Sequence, residues 1–140
     1  PLPGYNTLSS LFGGRTHPVT GRPNNHTGID IPAPAGTSIL AAKSGVVTTS
    51  TYNSSYGNYV VVSHSDGTST LYAHMSRRGV SKGQTVSQGQ VVGYVGTTGS
   101  STGNHLHFEI RVNGSRVDPV NYFLGSMTLY ATSGGVKKKL

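Results

Sequence analysis

Between Val46 and Val112 the chain alternates short β-type runs with glycine-containing polar breaks. Val46 and Val47 begin one run, Asn58–His64 forms a second and Thr70–Met75 a third, with others at Gln90–Val95 and His105–Val112. The second and third are joined through Ser65, Asp66, Gly67 and Thr68, and an Asp-Gly pair between two such runs signals a hairpin. Side chains alternate faces along a strand, so Leu106 and Phe108 point away from His105, His107 and Glu109. By the same alternation Ile29 and Ile31 turn toward a core while His26, Gly28 and Asp30 share the other side. In Leu71–Met75 it puts His74 on the face of Tyr72. Strands at this spacing, with Gly-rich turns, predict an all-β sandwich or barrel.

Val80, Gly83, Val86, Gly89 and Val92 add a rhythm, and similar punctuation runs from Gly36 to Gly45. It resembles the barrel-sandwich hybrid of lipoyl and biotinyl carrier domains, although glycines marking turns in any β protein would produce it too. Residues 1–12 are rich in Pro, Gly, Ser and Asn and read as a linker or entering arm. Residues 126–140 end in Ser133, Gly134, Gly135 and a lysine run, which reads as a tail and leaves 13–125 as the domain.

Composition narrows the choice. A chain of 140 residues bounds the answer to one domain, two at most. Charged residues are only 11%, glycine supplies 20 positions, and Glu109 is the one glutamate. Helix faces want Ala, Leu, Glu and Lys, so an α-helical protein is excluded. No run approaches the roughly 18 apolar residues of a membrane span. The chain starts at Pro1 without a signal peptide, and an excised domain or a mature product is expected. Zero cysteines exclude disulfides, a thiolate zinc site and a cysteine nucleophile. The net charge of +7 suggests an anionic partner, either nucleic acid or a bacterial wall.

Six histidines are the sharpest chemical signal. His26 and Asp30 would lie roughly 13 Å apart on a straight strand, too far to share an ion. The chain must therefore bend between them, and Gly28 is the residue best able to permit it. His105 and His107 share one strand face, and His74 adds a third imidazole. Imidazole nitrogens with one carboxylate oxygen suit a hydrolytic zinc site with three protein ligands and an open position for water. Histidines beyond that quota are free to move protons. Glu109 could orient one of the two strand histidines or form a salt bridge with Arg111 or another basic residue. His17 could line a cleft or pack a turn. His64, beside the hairpin turn, reads as solvent-exposed, and Tyr52, Tyr56 and Tyr59 read as half-buried sheet residues outside the site.

His26-x-x-x-Asp30, Tyr72-Ala73-His74 and His105-x-His107, in this order, resemble the lysostaphin-type, or LytM-like, zinc endopeptidases of bacterial cell walls. Gly14–Gly21, Gly57–Val61 and Val117-Asp118-Pro119 support the likeness, which runs from about Phe12 to Phe123. The resemblance implies an antiparallel β-sheet groove related to the barrel-sandwich type, or duplicated hybrid motif. It implies one zinc ion held by His26, Asp30 and His107, with His74 and His105 as the catalytic pair. The spacing alone does not rank His105 against His107 as ligand. It further implies peptidoglycan peptides as substrate and an extracellular or cell-wall location, with a secreted autolysin, a bacteriocin and a phage tail or lysis enzyme all open. A monomer, forming part of a larger protein, is expected.

Two other classes compete. A catalytically inactive member that binds the wall or activates an amidase would lack a ligand, whereas all five positions are filled here. A sugar-phosphotransferase carrier would need neither the His-x-His pair nor His26 with Asp30. Nucleic-acid binding has only net charge in its favour, because the basic residues are scattered and no RNA-recognition signature accompanies them.

Overall fold

A computed structural model describes residues 28–99, 103–113 and 115–117 with their side chains, and residues 7–8, 13–16, 23–26, 130–133 and 136–139 as backbone strands. The strands are β1 (Thr7–Leu8), β2 (Gly13–Thr16), β3 (Pro23–His26), β4 (Ile29–Pro32), β5 (Ser38–Leu40), β6 (Gly45–Asn53) and β7 (Gly57–Ser63). They continue with β8 (Thr68–Arg78), β9 (Thr85–Val86), β10 (Val91–Val95), β11 (His105–Val112), β12 (Ser115–Val117), β13 (Tyr130–Ser133) and β14 (Val136–Lys139). No helix occurs among the described residues.

Nine strands make one open sheet whose main path runs β12-β11-β8-β7-β6-β9. Two strands join this path from outside it: β4 pairs with β11, and β10 with β5 and β8. All these pairings are antiparallel. The Asp66-Gly67 turn forms the expected hairpin between β7 and β8, with Gly67 in the left-handed region at φ 84°. Smaller sheets pair β2 with β3 and join β1, β13 and β14.

The six-residue rhythm is one turn used twice. Ser81 and Gln84 exchange hydrogen bonds, the Gln84 N–H donating to the Ser81 carbonyl and the Gln84 Oε1 accepting from the Ser81 N–H. Ser87 and Gln90 repeat both bonds. Gly83 and Gly89 take the positive φ that such turns place at their third residue. Each turn returns the chain so that Val80, Val86 and Val92 are buried in one core.

That core lies on one face of the sheet. Ile29, Ile31, Val60, Val62, Tyr72, Leu106, Phe108 and Ile110 pack there, all at most 5% exposed. Tyr72 brings a polar chain into it. Its hydroxyl accepts from the Ala42 N–H at 2.9 Å and bonds the Thr70 hydroxyl at 2.8 Å. The Thr70 hydroxyl in turn meets His64 Nε2 at 3.0 Å, and His64 Nδ1 donates to the Ser44 carbonyl at 2.7 Å. His64 is therefore a buried structural residue, 6% exposed, and not the surface residue that its place beside a turn suggests. Its ring reaches back over the hairpin because Ser44 and Thr70 offer partners for both nitrogens. Burial pushes the Tyr72 phenol up to about 12, so it stays a neutral hydroxyl.

Tyr72→Phe removes the middle of this chain and leaves the Ala42 N–H without its acceptor. A loss of about 1–3 kcal/mol is expected in denaturant unfolding. An unchanged unfolding midpoint would show that the buried polar chain adds nothing to the fold.

Candidate active site

The polar face of the sheet, opposite the core, carries the candidate site residues. Direct antiparallel partners share a face, and His107 sits opposite Asp30 on β4 and Ala73 on β8. Along β11, His105, His107, Glu109 and Arg111 alternate with the buried Leu106, Phe108 and Ile110. The apolar half of β11 thus anchors the strand and forces its polar half into a single row.

His74 reaches that row by breaking the alternation. Phe108 pairs with Tyr72 on the core face, so a regular strand would send His74 to the core as well. Instead His74 has φ 60°, and the register of β8 against β7 shifts between Tyr72 and Met75, with a second shift against β10 at Ser76. β8 also changes neighbour here, pairing with β11 up to Ala73 and with β10 from Met75. The extra residue turns His74 toward β11 and returns Met75 to the core. Tyr72 and His74 consequently lie on opposite faces, which corrects the period-two expectation. A non-glycine residue at positive φ costs about 1–3 kcal/mol and persists only when neighbours hold it. Two carbonyls do so: the His74 N–H donates to Tyr56 O at 2.7 Å, and Nδ1–H donates to Thr98 O at 2.7 Å.

The three imidazoles and Asp30 converge. The His74 ring centroid is 5.1 Å from that of His105 and 5.9 Å from that of His107. Asp30 Oδ1 lies 2.9 Å from His107 Nδ1 and 3.6 Å from His105 Nε2. His105 Nδ1–H donates to the Gly103 carbonyl at 2.9 Å. A carbonyl only accepts, so in neutral His74 and His105 the proton sits on Nδ1 and the basic lone pair on Nε2. Burial holds the His74 pKa below the ordinary imidazole value, and positive charge on His105 or His107 would lower it further. Burial acts on His107 in the same direction, but its bonds to Asp30 and Glu109 overcome it and raise the value to about 9.

Glu109 is fully buried beneath this cluster. Its Oε2 lies 2.9 Å from His107 Nε2 and accepts from the Tyr56 hydroxyl at 2.6 Å. Its Oε1 accepts from Arg111 at 3.0 Å and from Arg116 at 3.1 Å. The sequence allowed either an orienting carboxylate or a pair with Arg111, and both contacts are present. Gly28 makes room for it: a Cβ there would collide with the Phe108 carbonyl and with Glu109 Cγ. The chain bends at Gly28, between β3 and β4, as the spacing of His26 and Asp30 requires. It does so without entering the left-handed region, so the glycine serves both the bend and the close approach.

Tyr56 is a site neighbour that sequence reasoning set aside. Its ring stacks on His107 with centroids 5.8 Å apart, while its carbonyl receives the His74 N–H. The local signal is Asn53, whose Oδ1 accepts from the N–H groups of Ser55 and Tyr56 and so shapes the turn that presents the ring. Thr98 was missed because its contact with His74 joins segments 24 positions apart, and Arg116 because its approach to Glu109 depends on the register of β12 against β11.

His26 ends β3, where its backbone pairs with Gly13, but its side chain and all of His17 fall outside the described residues. Among the described residues no three histidine or acidic side chains are placed to hold one metal ion between them. Asp30 Oδ1 and His107 Nδ1 nevertheless supply one carboxylate oxygen and one imidazole nitrogen side by side, a donor set suited to zinc.

Residues 24–119 match peptidase family M23. The chain is 48% identical over 116 residues to peptidoglycan DD-endopeptidase ShyC of Vibrio cholerae, covering 82% of this chain and 27% of that protein. It thus spans about a quarter of the length of the curated relatives it matches. A zinc-containing peptidase from Vibrio cholerae superposes with a TM-score of 0.78 at 38% identity, over 84% of this chain and 37% of that one. The antimicrobial peptidase lysostaphin from Staphylococcus simulans superposes with a TM-score of 0.74 at 29% identity, over 86% and 50%.

The raised His107 value makes a prediction for protein stripped of divalent ions. The folded pKa of about 9 lies above the unfolded one, so protonated His107 stabilises the fold. That stabilisation is complete below about pH 6.5 and is lost as pH rises through the folded value. Unfolding free energy should therefore decline over this window, and His107→Gln should remove the decline. Parallel pH profiles for the two proteins would refute a charge held there.

Proposed function

The chain belongs to peptidase family M23, and from that premise we propose that it is a zinc-dependent endopeptidase acting on stem or cross-bridge peptides of bacterial peptidoglycan. The observation that carries this reading is the convergence of Asp30, His74, His105 and His107 on the sheet face away from the core. The names of the relatives support the substrate class, and the filled ligand and base positions speak for an active member.

In this reading His26, Asp30 and His107 hold one zinc ion. Zinc bound by two imidazoles and a carboxylate supplies Lewis acidity, polarising a scissile carbonyl and lowering the pKa of water to about 7. The chain's own residues do the rest. Asp30 and His107 fix one edge of the site from two paired strands. His74 and His105, each locked with Nδ1 donating to a carbonyl, offer Nε2 to take a proton from the attacking water. Once protonated, the same atoms can stabilise the developing oxyanion and return the proton to the leaving amine. The depressed pKa of His74 keeps it in the neutral, basic form at neutral pH. Work on the wall puts the protein outside the cytoplasmic membrane, extracellular or periplasmic. The domain limits of 13–125, a monomeric state and action as part of a larger protein belong to the same proposal.

Single alanine variants separate the roles. His26→Ala, Asp30→Ala and His107→Ala should lose bound zinc and activity together, as should chelation of the wild type. His74→Ala and His105→Ala should retain the metal and lose about 100-fold or more in turnover on purified wall fragments. A fully active metal-free preparation would overturn the zinc reading. If His105→Ala empties the site while His107→Ala leaves it loaded, the two assignments are reversed.

A further inference from the structure

We infer that Glu109 is a positioning residue for the metal site: it accepts the Nε2 proton of His107 and thereby turns the Nδ1 lone pair toward Asp30. The inference rests on the proposed zinc site and concerns which atom of His107 serves it.

His107 stands between two carboxylates, with Asp30 Oδ1 and Glu109 Oε2 each 2.9 Å from one ring nitrogen. A neutral imidazole carries one proton, so a cation entering the site must replace the hydrogen bond on one side or the other. The two sides are not equivalent. Asp30 lies in the half-buried cluster beside His105, its side chain 14% exposed, where an ion could reach it. Glu109 is completely buried and surrounded by donors: the Tyr56 hydroxyl and His107 on Oε2, and Arg111 and Arg116 on Oε1. A carboxylate with donors on both oxygens has little acceptor capacity left for a metal. If Nε2 lost its proton, its lone pair would face the Oε2 lone pairs in a buried space, a repulsion without a compensating donor. The proton therefore stays on Nε2, and Nδ1 is the atom that meets the ion together with Asp30 Oδ1.

The surroundings keep Glu109 in that role. Two guanidinium groups balance a charge that burial would otherwise make costly. Arg111 lies two residues along β11, and Arg116 is its direct partner on β12, so both approach Oε1 from the polar face. Tyr56 fixes Oε2 while stacking on the ring that Glu109 orients. Gly28 leaves the Glu109 side chain its space, since a Cβ there would stand 2.9 Å from Glu109 Cγ. Outer partners of this kind typically change metal affinity by about 10- to 100-fold.

The test uses Glu109→Gln, which keeps the shape and removes the charge. Its zinc affinity, measured by competition with a chromophoric chelator, should fall about 10- to 100-fold while denaturant unfolding still shows one cooperative transition. Independently, nitrogen-15 spectra of the zinc-loaded wild type should show His107 protonated at Nε2 and metal-shifted at Nδ1, a signature that a purely structural Glu109 would not dictate. This second measurement stands even if the variant does not fold. A folded Glu109→Gln protein with unchanged zinc affinity, or a wild-type spectrum with Nε2 on the metal, would overturn the inference and leave the zinc reading intact. A wild type that binds no zinc would overturn both.

Discussion

Leu106, Phe108 and Ile110 bury one side of β11 almost completely, and everything on the other side follows from where they hold it. Alternation along the strand then leaves no choice about His105, His107, Glu109 and Arg111, which must form a row on the opposite face. Pairing with β4 and β8 adds the cross-direction, bringing Asp30 beside His107. A slip of one residue in this register would turn two histidines into the apolar core and the core residues out of it. The hydrophobic contacts that stabilise the sheet therefore also set the spacing of the histidines and carboxylates on its other face. Stability and function share one strand.

The second requirement opposes the first. A regular β8 would serve the core well and send His74 into it, because Phe108 already claims Tyr72 as its neighbour. The bulge resolves the conflict by giving Tyr72 and Met75 to the core and the residue between Ala73 and Met75 to the site. Its strain is localised at one φ angle and is answered by two short hydrogen bonds from separate loops. The change of neighbour from β11 to β10 occurs at the same residue, so the ladder loses little by being broken there.

Much of this was legible beforehand. The period-two pattern at 105–109 identifies the buried and polar faces of β11 directly, and the Asp66-Gly67 pair identifies the β7–β8 hairpin. The alternation of Ile29 and Ile31 with Asp30 likewise places the carboxylate on the polar side. The pattern failed at His74, since a strand period carries no mark of an inserted residue and histidine is not a residue that announces positive φ. It fails at His64 because proximity to a turn does not dictate exposure, and the bonds that bury the ring come from Ser44 and Thr70. Tyr56 and Arg116 were invisible for other reasons: the Tyr56 contact with Glu109 crosses 53 positions, and the Arg116 contact depends on the register of β12 against β11, which the sequence does not mark.

The β6–β7 turn has a mechanical consequence. Tyr56 touches one half of the site through its carbonyl, on His74, and the other through its phenol, on Glu109. Backbone and side chain of a single residue are thus pinned to different strands. A turn held at both points has no slack, so it acts as a gauge between the two halves. One residue more or less between Asn53 and Gly57 could keep either contact but not both. Insertions beside the histidine cluster must therefore enter through other loops, leaving this turn as the fixed reference from which the others are measured.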